Sequence, residues 1–144
     1  MTATADDVVD AARALMGTAF HHQARLPGVG LDCAGVVVVV GRQLGLFDPA
    51  FDVTDYPRVP DGSTLQAYCD QYLAPAADPE IGGVVLVAWG RGEPQHMGIV
   101  VPYVHGGLAM VHAESRRHKR VIETRLLFGR AMRLVRAYRF PGVA

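Results

Sequence analysis

The chain has 144 residues, half of them apolar and 19% charged, with 14 basic and 14 acidic side chains. A chain of this size buries a core without disulfides or a metal, and its composition is that of a globular protein rather than a disordered or collagen-like one. The five valines Val36 to Val40 are cut off by Gly41 and Arg42, far short of the about 20 apolar residues a membrane span needs, so no membrane insertion is expected.

The N-terminus, Met1 to Asp7, has no basic region followed by an apolar one, so no signal peptide is expected and the protein is read as made in the cytoplasm. Cys33 and Cys69, 36 residues apart, are expected to be free thiols. The zero net charge conceals an asymmetry. Residues 116–144 hold nine Arg or Lys against Glu123 alone, whereas residues 1–115 hold five against thirteen acids. A basic end of this kind suits an anionic partner, but solvated strand faces and pairing with the acidic half are the simpler expectation. No nucleic-acid recognition motif accompanies it, so nucleic acid is not an expected partner.

Thr4 to Met16 reads as a helix. Thr4 caps it, Asp6 and Asp7 occupy the first turn, and Val8, Ala12, Leu15 and Met16 share a face, with Gly17 placed to end it. Thr18 to Gly30 reads as a loop leading to Leu31-Asp32-Cys33-Ala34-Gly35. The valine run that follows favours a strand by propensity. A helix from about Cys33 to Leu44 is nevertheless expected, because Asp32 is a good cap and Val36, Val37, Val40 and Leu44 continue one face. Leu46 to Asp61, with three prolines, reads as irregular, and such long loops are often functional. Ser63 to Leu73 reads as a short helix capped by Ser63. Strands are expected at Val84 to Trp89, Met97 to Tyr103, Leu108 to His112, Val121 to Arg125 and Met132 to Phe140. Helices first and strands second define one α+β domain over residues 1–144, its helices packed on an antiparallel sheet.

A cysteine at a helix start sits where unpaired N–H groups and the peptide dipoles favour a thiolate. Such a nucleophile needs a base within hydrogen-bond reach and a third group to orient that base. His96 opens one expected strand and His112 closes the next. A two-residue turn between these strands would pair Ile99 with His112 and send the two imidazoles to opposite faces. A three-residue loop at residues 104–106 pairs Gly98 with His112 and returns both to one face. The reading therefore requires the odd-length loop or an equivalent bulge. Cys69 reads as core. His21 and His22 lack a spaced Cys or His partner, and no metal or cofactor is expected.

These residues match a known pattern. Asp32-Cys33-Ala34-Gly35 resembles the Asp-Cys-Ser/Ala-Gly motif of the NlpC/p-sixty family of cell-wall cysteine peptidases, His96-Met97-Gly98-Ile99 its His-x-Gly-Ile motif, and Val111-His112-Ala113 the segment supplying its third residue. Gly17-Thr18-Ala19-Phe20 and Gly82-Gly83-Val84-Val85 resemble its Gly-Thr-Pro-Tyr and Gly-Asp-Val segments, with Phe20 for the tyrosine and Gly83 for the aspartate. His21 to Arg25 and Ala137 to Gly142 look like the branch carried by phage tails and gene-transfer particles.

The resemblance implies a papain-like fold of NlpC type. It also implies a Cys33–His96–His112 site that hydrolyses an amide of a peptidoglycan stem peptide, commonly between D-glutamate and diaminopimelate. Asp32, Phe20, His22 and Gln23 are then candidates for the oxyanion and substrate site, His22 or Gln23 standing in for the missing tyrosine hydroxyl. Delivery by a tail or related particle would place the protein in a virion acting on the cell wall, with tail proteins as partners. The alternative is a structural tail protein that keeps the fold without the activity.

Overall fold

A computed structural model describes residues 2–59, 61–93 and 96–144. Helix α1 (Ala5–Arg13) begins as the sequence predicts. Thr4 accepts the Asp7 N–H while Asp7 accepts the Thr4 N–H, a reciprocal cap. It ends three residues earlier than expected, and Met16 is exposed rather than in the apolar face.

Helix α2 (Cys33–Gln43) follows two short strands, β1 (Arg25–Leu26) and β2 (Gly30–Leu31), which pair within a stretch expected to be loop. All residues from Ala34 to Gly41 are buried, so the helix is apolar on every side. That environment decides the conformation of the valine run. Each valine costs roughly 0.5–0.7 kcal/mol against alanine in a helix. Full burial of its side chain is worth about 1.5–3 kcal/mol, and all five are at most 5% exposed. Burial wins.

Helix α3 (Thr64–Tyr72) forms as expected, but its cap differs. The Ser63 side chain makes no capping bond, and the Asp61 carboxylate accepts the N–H groups of Ser63 and Thr64 instead. Between α2 and α3, the described residues of the 46–61 loop form no helix or strand; Pro60 lies outside the described residues. Phe47 and Phe51 anchor this loop, their rings 4.5 Å apart and packed on Phe140 and Tyr72.

The remaining elements are β3 (Ala74–Ala76), which the sequence reading missed, β4 (Val84–Trp89), β5 (His96–Pro102), β6 (Leu108–Glu114), β7 (Arg120–Arg125) and β8 (Met132–Arg139). They form one antiparallel sheet in the order β3-β8-β4-β5-β6-β7. Because side chains alternate along a strand, the sheet is apolar on both faces. Val84, Leu86, Ile99, Val101, Ala109 and Val111 join the helices in the main core, and Val85, Val87, Val100, Met110 and Met132 form a second cluster.

Among the described residues, three arginine ion pairs join the two oppositely charged parts of the chain. Arg13 pairs with Glu123, Arg136 with Asp70 and Arg139 with Glu80, each joining the acidic and basic parts of the sequence. No helix among the described residues is long and apolar enough to cross a membrane.

Gly83 stands against backbone. A Cβ there would lie 2.5 Å from the Tyr138 carbonyl oxygen, so the chain has no room for the aspartate of the motif it resembles. Gly83→Asp is expected to destabilise the fold by about 1–3 kcal/mol, as overpacking does; a urea midpoint equal to that of the wild type would contradict this.

Candidate active site

The site is built around the tip of α2. Asp32 is 2% exposed, and its carboxylate accepts the backbone N–H of Gly35 at 2.8 Å and of Gln23 at 2.7 Å. It also accepts Arg25 Nη1 at 2.9 Å and the Tyr56 hydroxyl. Arg25 in turn donates to Asp52, to the Val53 carbonyl and to the Tyr56 oxygen. Three separate segments thus meet on one carboxylate. Burial and the Asp32 charge hold the Tyr56 hydroxyl well above its usual range, so it stays a donor.

Cys33 is half-buried on the first turn of α2, with the backbone N–H groups of Met97, next to His96 on β5, and of Ala34 near enough to favour its thiolate. Cys33 and His96 line one cleft of about 230 Å³, together with Phe20, His22, Tyr56, Arg58, Trp89 and Arg116.

The strand register meets the condition that the sequence set. Ile99 pairs with Val111 and Pro102 with Leu108, and Tyr103 N–H donates to the Gly107 carbonyl, so residues 104–106 form the odd-length loop. His96 and His112 therefore share a face, with His96 Nε2 and His112 Nδ1 2.6 Å apart. Gly98, between them, leaves room for this packing. A Cβ on it would come within 3.1 Å of Met110 Cβ and 3.2 Å of His112 Cβ.

Beyond His112 the chain of bonds continues to a residue that sequence reasoning missed. His112 Nε2 lies 2.7 Å from Thr124 Oγ1 on β7. If His96 Nδ1 is to accept a proton, His96 must carry its own on Nε2 and donate it to His112 Nδ1. His112 then carries its proton on Nε2 and donates to Thr124. In that direction the two bonds link both tautomers to the Thr124 hydroxyl, which can accept as well as donate. The signal for Thr124 is its strand position, two residues beyond Ile122, which pairs with His112.

The other candidates separate by geometry. His22 lines the cleft with Nδ1 3.9 Å from Asp32, its ring edge-on to Tyr56. Phe20 also lines the cleft. Gln23 does not serve the site as expected. Its amide donates to the Thr54 and Tyr56 carbonyls, so it holds the 46–61 loop in place. Asp32 accepts four hydrogen bonds and, as a carboxylate, has no donor for an oxyanion, so it organises the tip instead. The N–H of Cys33 takes no part in these capping bonds.

Electrostatics corrects one expectation. Burial, followed by the Asp32 charge, pushes the Cys33 thiol up to about 12, against the Met97 and Ala34 N–H groups and Arg25, which pull it down. A helix N-terminus is worth about 0.3–1 kcal/mol, less than one pKa unit, so it does not offset desolvation. Burial and then His112 push His96 down to about 3, and burial lowers His112 to about 4. These shifts favour a thiol and two neutral imidazoles at neutral pH.

No family model matches the chain, and no curated protein matches it. Among solved structures, the fold is similar to the NlpC/p60 domain of the peptidoglycan hydrolase SagA, at 20% identity and a TM-score of 0.53, over 85% of this chain and 89% of that one. It is also similar to an N-acetylmuramoyl-L-alanine amidase from Bacteroides uniformis ATCC 8492, at 12% identity and a TM-score of 0.56, over 95% of this chain and 98% of that one. At these identities the likeness is one of fold: the chain is an α+β domain of papain-like, NlpC type.

Two outcomes follow from the site's charges. Arg25→Ala strips the cation from a buried carboxylate and is expected to cost about 3–5 kcal/mol, read from urea denaturation; a loss below about 1 kcal/mol, the range of an exposed pair, would contradict the network. The histidines titrate lower in the folded chain than their ordinary 6.5, and the thiols of Cys33 and Cys69 higher than their ordinary 9.0. As pH falls below about 6.5 the unfolded chain takes up protons first, so stability declines toward pH 4 and 3. Above about pH 9 the unfolded thiols ionise first, so it declines again. Melting temperature against pH should show both limbs, and iodoacetamide should alkylate Cys33 slowly at pH 7.

Proposed function

We propose that this protein is a cysteine peptidase that hydrolyses a stem-peptide amide of peptidoglycan. The observation that carries the reading is the shared cleft of Cys33 and His96, backed by the His96–His112–Thr124 chain of bonds. The two solved structures of similar fold, a peptidoglycan hydrolase domain and an N-acetylmuramoyl-L-alanine amidase, support the substrate class.

Catalysis runs from a neutral pair. As Cys33 Sγ attacks the amide carbonyl carbon, His96 Nδ1 takes the thiol proton, and the charge that develops on His96 is stabilised through Nε2–H by His112. The carbonyl oxygen becomes an oxyanion held by the free N–H of Cys33 at the helix tip, where the peptide dipoles favour negative charge. His22, on the cleft wall, is the side chain placed to act where Phe20 has no hydroxyl. Collapse breaks the C–N bond, and His96 returns the proton to the leaving amine. A water, deprotonated by His96, then hydrolyses the thioester and frees Cys33.

Within this proposal the bond is the one between D-glutamate and diaminopimelate, and the protein works as part of a phage tail or gene-transfer particle. Support for the particle role comes from the resemblance of residues 21–25 and 137–142, and co-purification with tail particles tests it.

Incubation with purified muropeptides, followed by mass spectrometry, tests the activity. The wild type is expected to release new amines and Cys33→Ala none; no product from either, across stem peptides of differing composition, overturns the peptidase and favours a structural tail protein. Thr124→Val should lower kcat about tenfold, a small part of what general acid–base catalysis contributes, with KM little changed and Thr124→Ser restoring the rate.

A further inference from the structure

A second cavity of about 440 Å³ adjoins the cleft. Trp89 and Arg116 line both, so an extended ligand in the cleft can continue over them. The second cavity is arginine-rich. Arg116 and Arg117 line it, and among the described residues neither forms an ion pair, whereas the Arg125 guanidinium is stacked over the Tyr103 ring at 5.2 Å.

The carboxylate in its wall is already engaged. Glu114 accepts the backbone N–H of Arg116 at 2.6 Å, of Arg117 at 2.8 Å and also of His118. One acidic side chain therefore folds the β6–β7 turn back on itself and presents two arginines. The charge of Arg116 reaches His96, which it helps to keep unprotonated. Guanidinium groups prefer planar oxyanions, which they bind through paired, charge-assisted hydrogen bonds.

We propose that this groove binds a free carboxylate carried by the same peptide whose scissile amide lies at Cys33, and that Arg116 and Arg117 distinguish the acid from its amide. The inference rests on the peptidase reading of the cleft and adds what that reading leaves open, the charge state of the preferred stem peptide. Amidated stem peptides are then poor substrates.

Binding tests it without chemistry. Calorimetry with the Cys33→Ala protein compares a stem peptide bearing free carboxylates with its amidated counterpart, at two salt concentrations. The acid should bind about tenfold tighter, a difference of about 1.4 kcal/mol, and the advantage should shrink at high salt. Adding Arg116→Gln and Arg117→Gln should abolish the discrimination, and lysine at both positions should restore part of it. Equal binding of acid and amide, or discrimination that survives the double substitution in a protein with an unchanged melting profile, overturns the proposal. So does inorganic phosphate that, at matched ionic strength, displaces the acid peptide as well as free carboxylate does, since that marks a general anion site. If wild type cleaves both peptides and both bind alike, only this inference fails. If neither peptide binds and neither is cleaved, the peptidase reading fails with it.

Discussion

One buried carboxylate organises the molecule's working end. An ionised Asp32 deep in an apolar domain costs several kcal/mol unless its oxygens are fully engaged. Its donors come from the entry segment (Gln23 and Arg25), from the helix itself (Gly35) and from the middle of the long loop (Tyr56). None of these segments satisfies it alone, so the tip of α2 is ordered only when all three are in place. A loop without regular structure between residues 46 and 61 would ordinarily be a surface feature. Here Tyr56, Pro57 and Arg58 form a wall of the cleft because their loop is tied to the base of the nucleophile's helix.

The same burial sets the character of the chemistry. A sulfur at an exposed helix N-terminus would gain from the dipole, but at this tip dehydration and the Asp32 charge outweigh it. The His96 and His112 rings are instead joined to each other and to Thr124 by a continuous run of hydrogen bonds. Under the proposed peptidase reading, such an arrangement puts the work into proton transfer during attack rather than into a standing ion pair. It also needs rigidity, since a misplaced ring has no charge attraction to bring it back. Packing supplies it: the His96 ring lies between Trp89, at 5.6 Å, and His112, at 4.8 Å.

Charge segregation along the chain turns out to serve folding and the site in different places. Arginines at the sequence's end close ion pairs with acids of α3 and of the turn before β4. Arg116 and Arg117 of the β6–β7 turn make no such pairs among the described residues and line the cavity beside the cleft. A single composition bias thus has two structural uses.

Much was legible in the residues alone. The helices, the caps Thr4 and Asp32, the five long strands and the α+β class follow from local patterns of polarity, and the DCAG and HMGI segments marked Cys33 and His96, which line one cleft. The dependence of the histidine pair on an odd-length loop was also readable, because alternation along a strand is fixed by backbone geometry. Which loop the chain adopts was not, since it rests on how β5 and β6 pair across the sheet. Arg25, Tyr56 and Thr124 were equally hidden. Each acts through a partner 7 to 24 residues away in sequence, and no local pattern records such a partner. The thiol's protonation, too, belongs to the tertiary structure, because desolvation is a property of everything packed around the sulfur, whereas the helix dipole that pointed the other way is local.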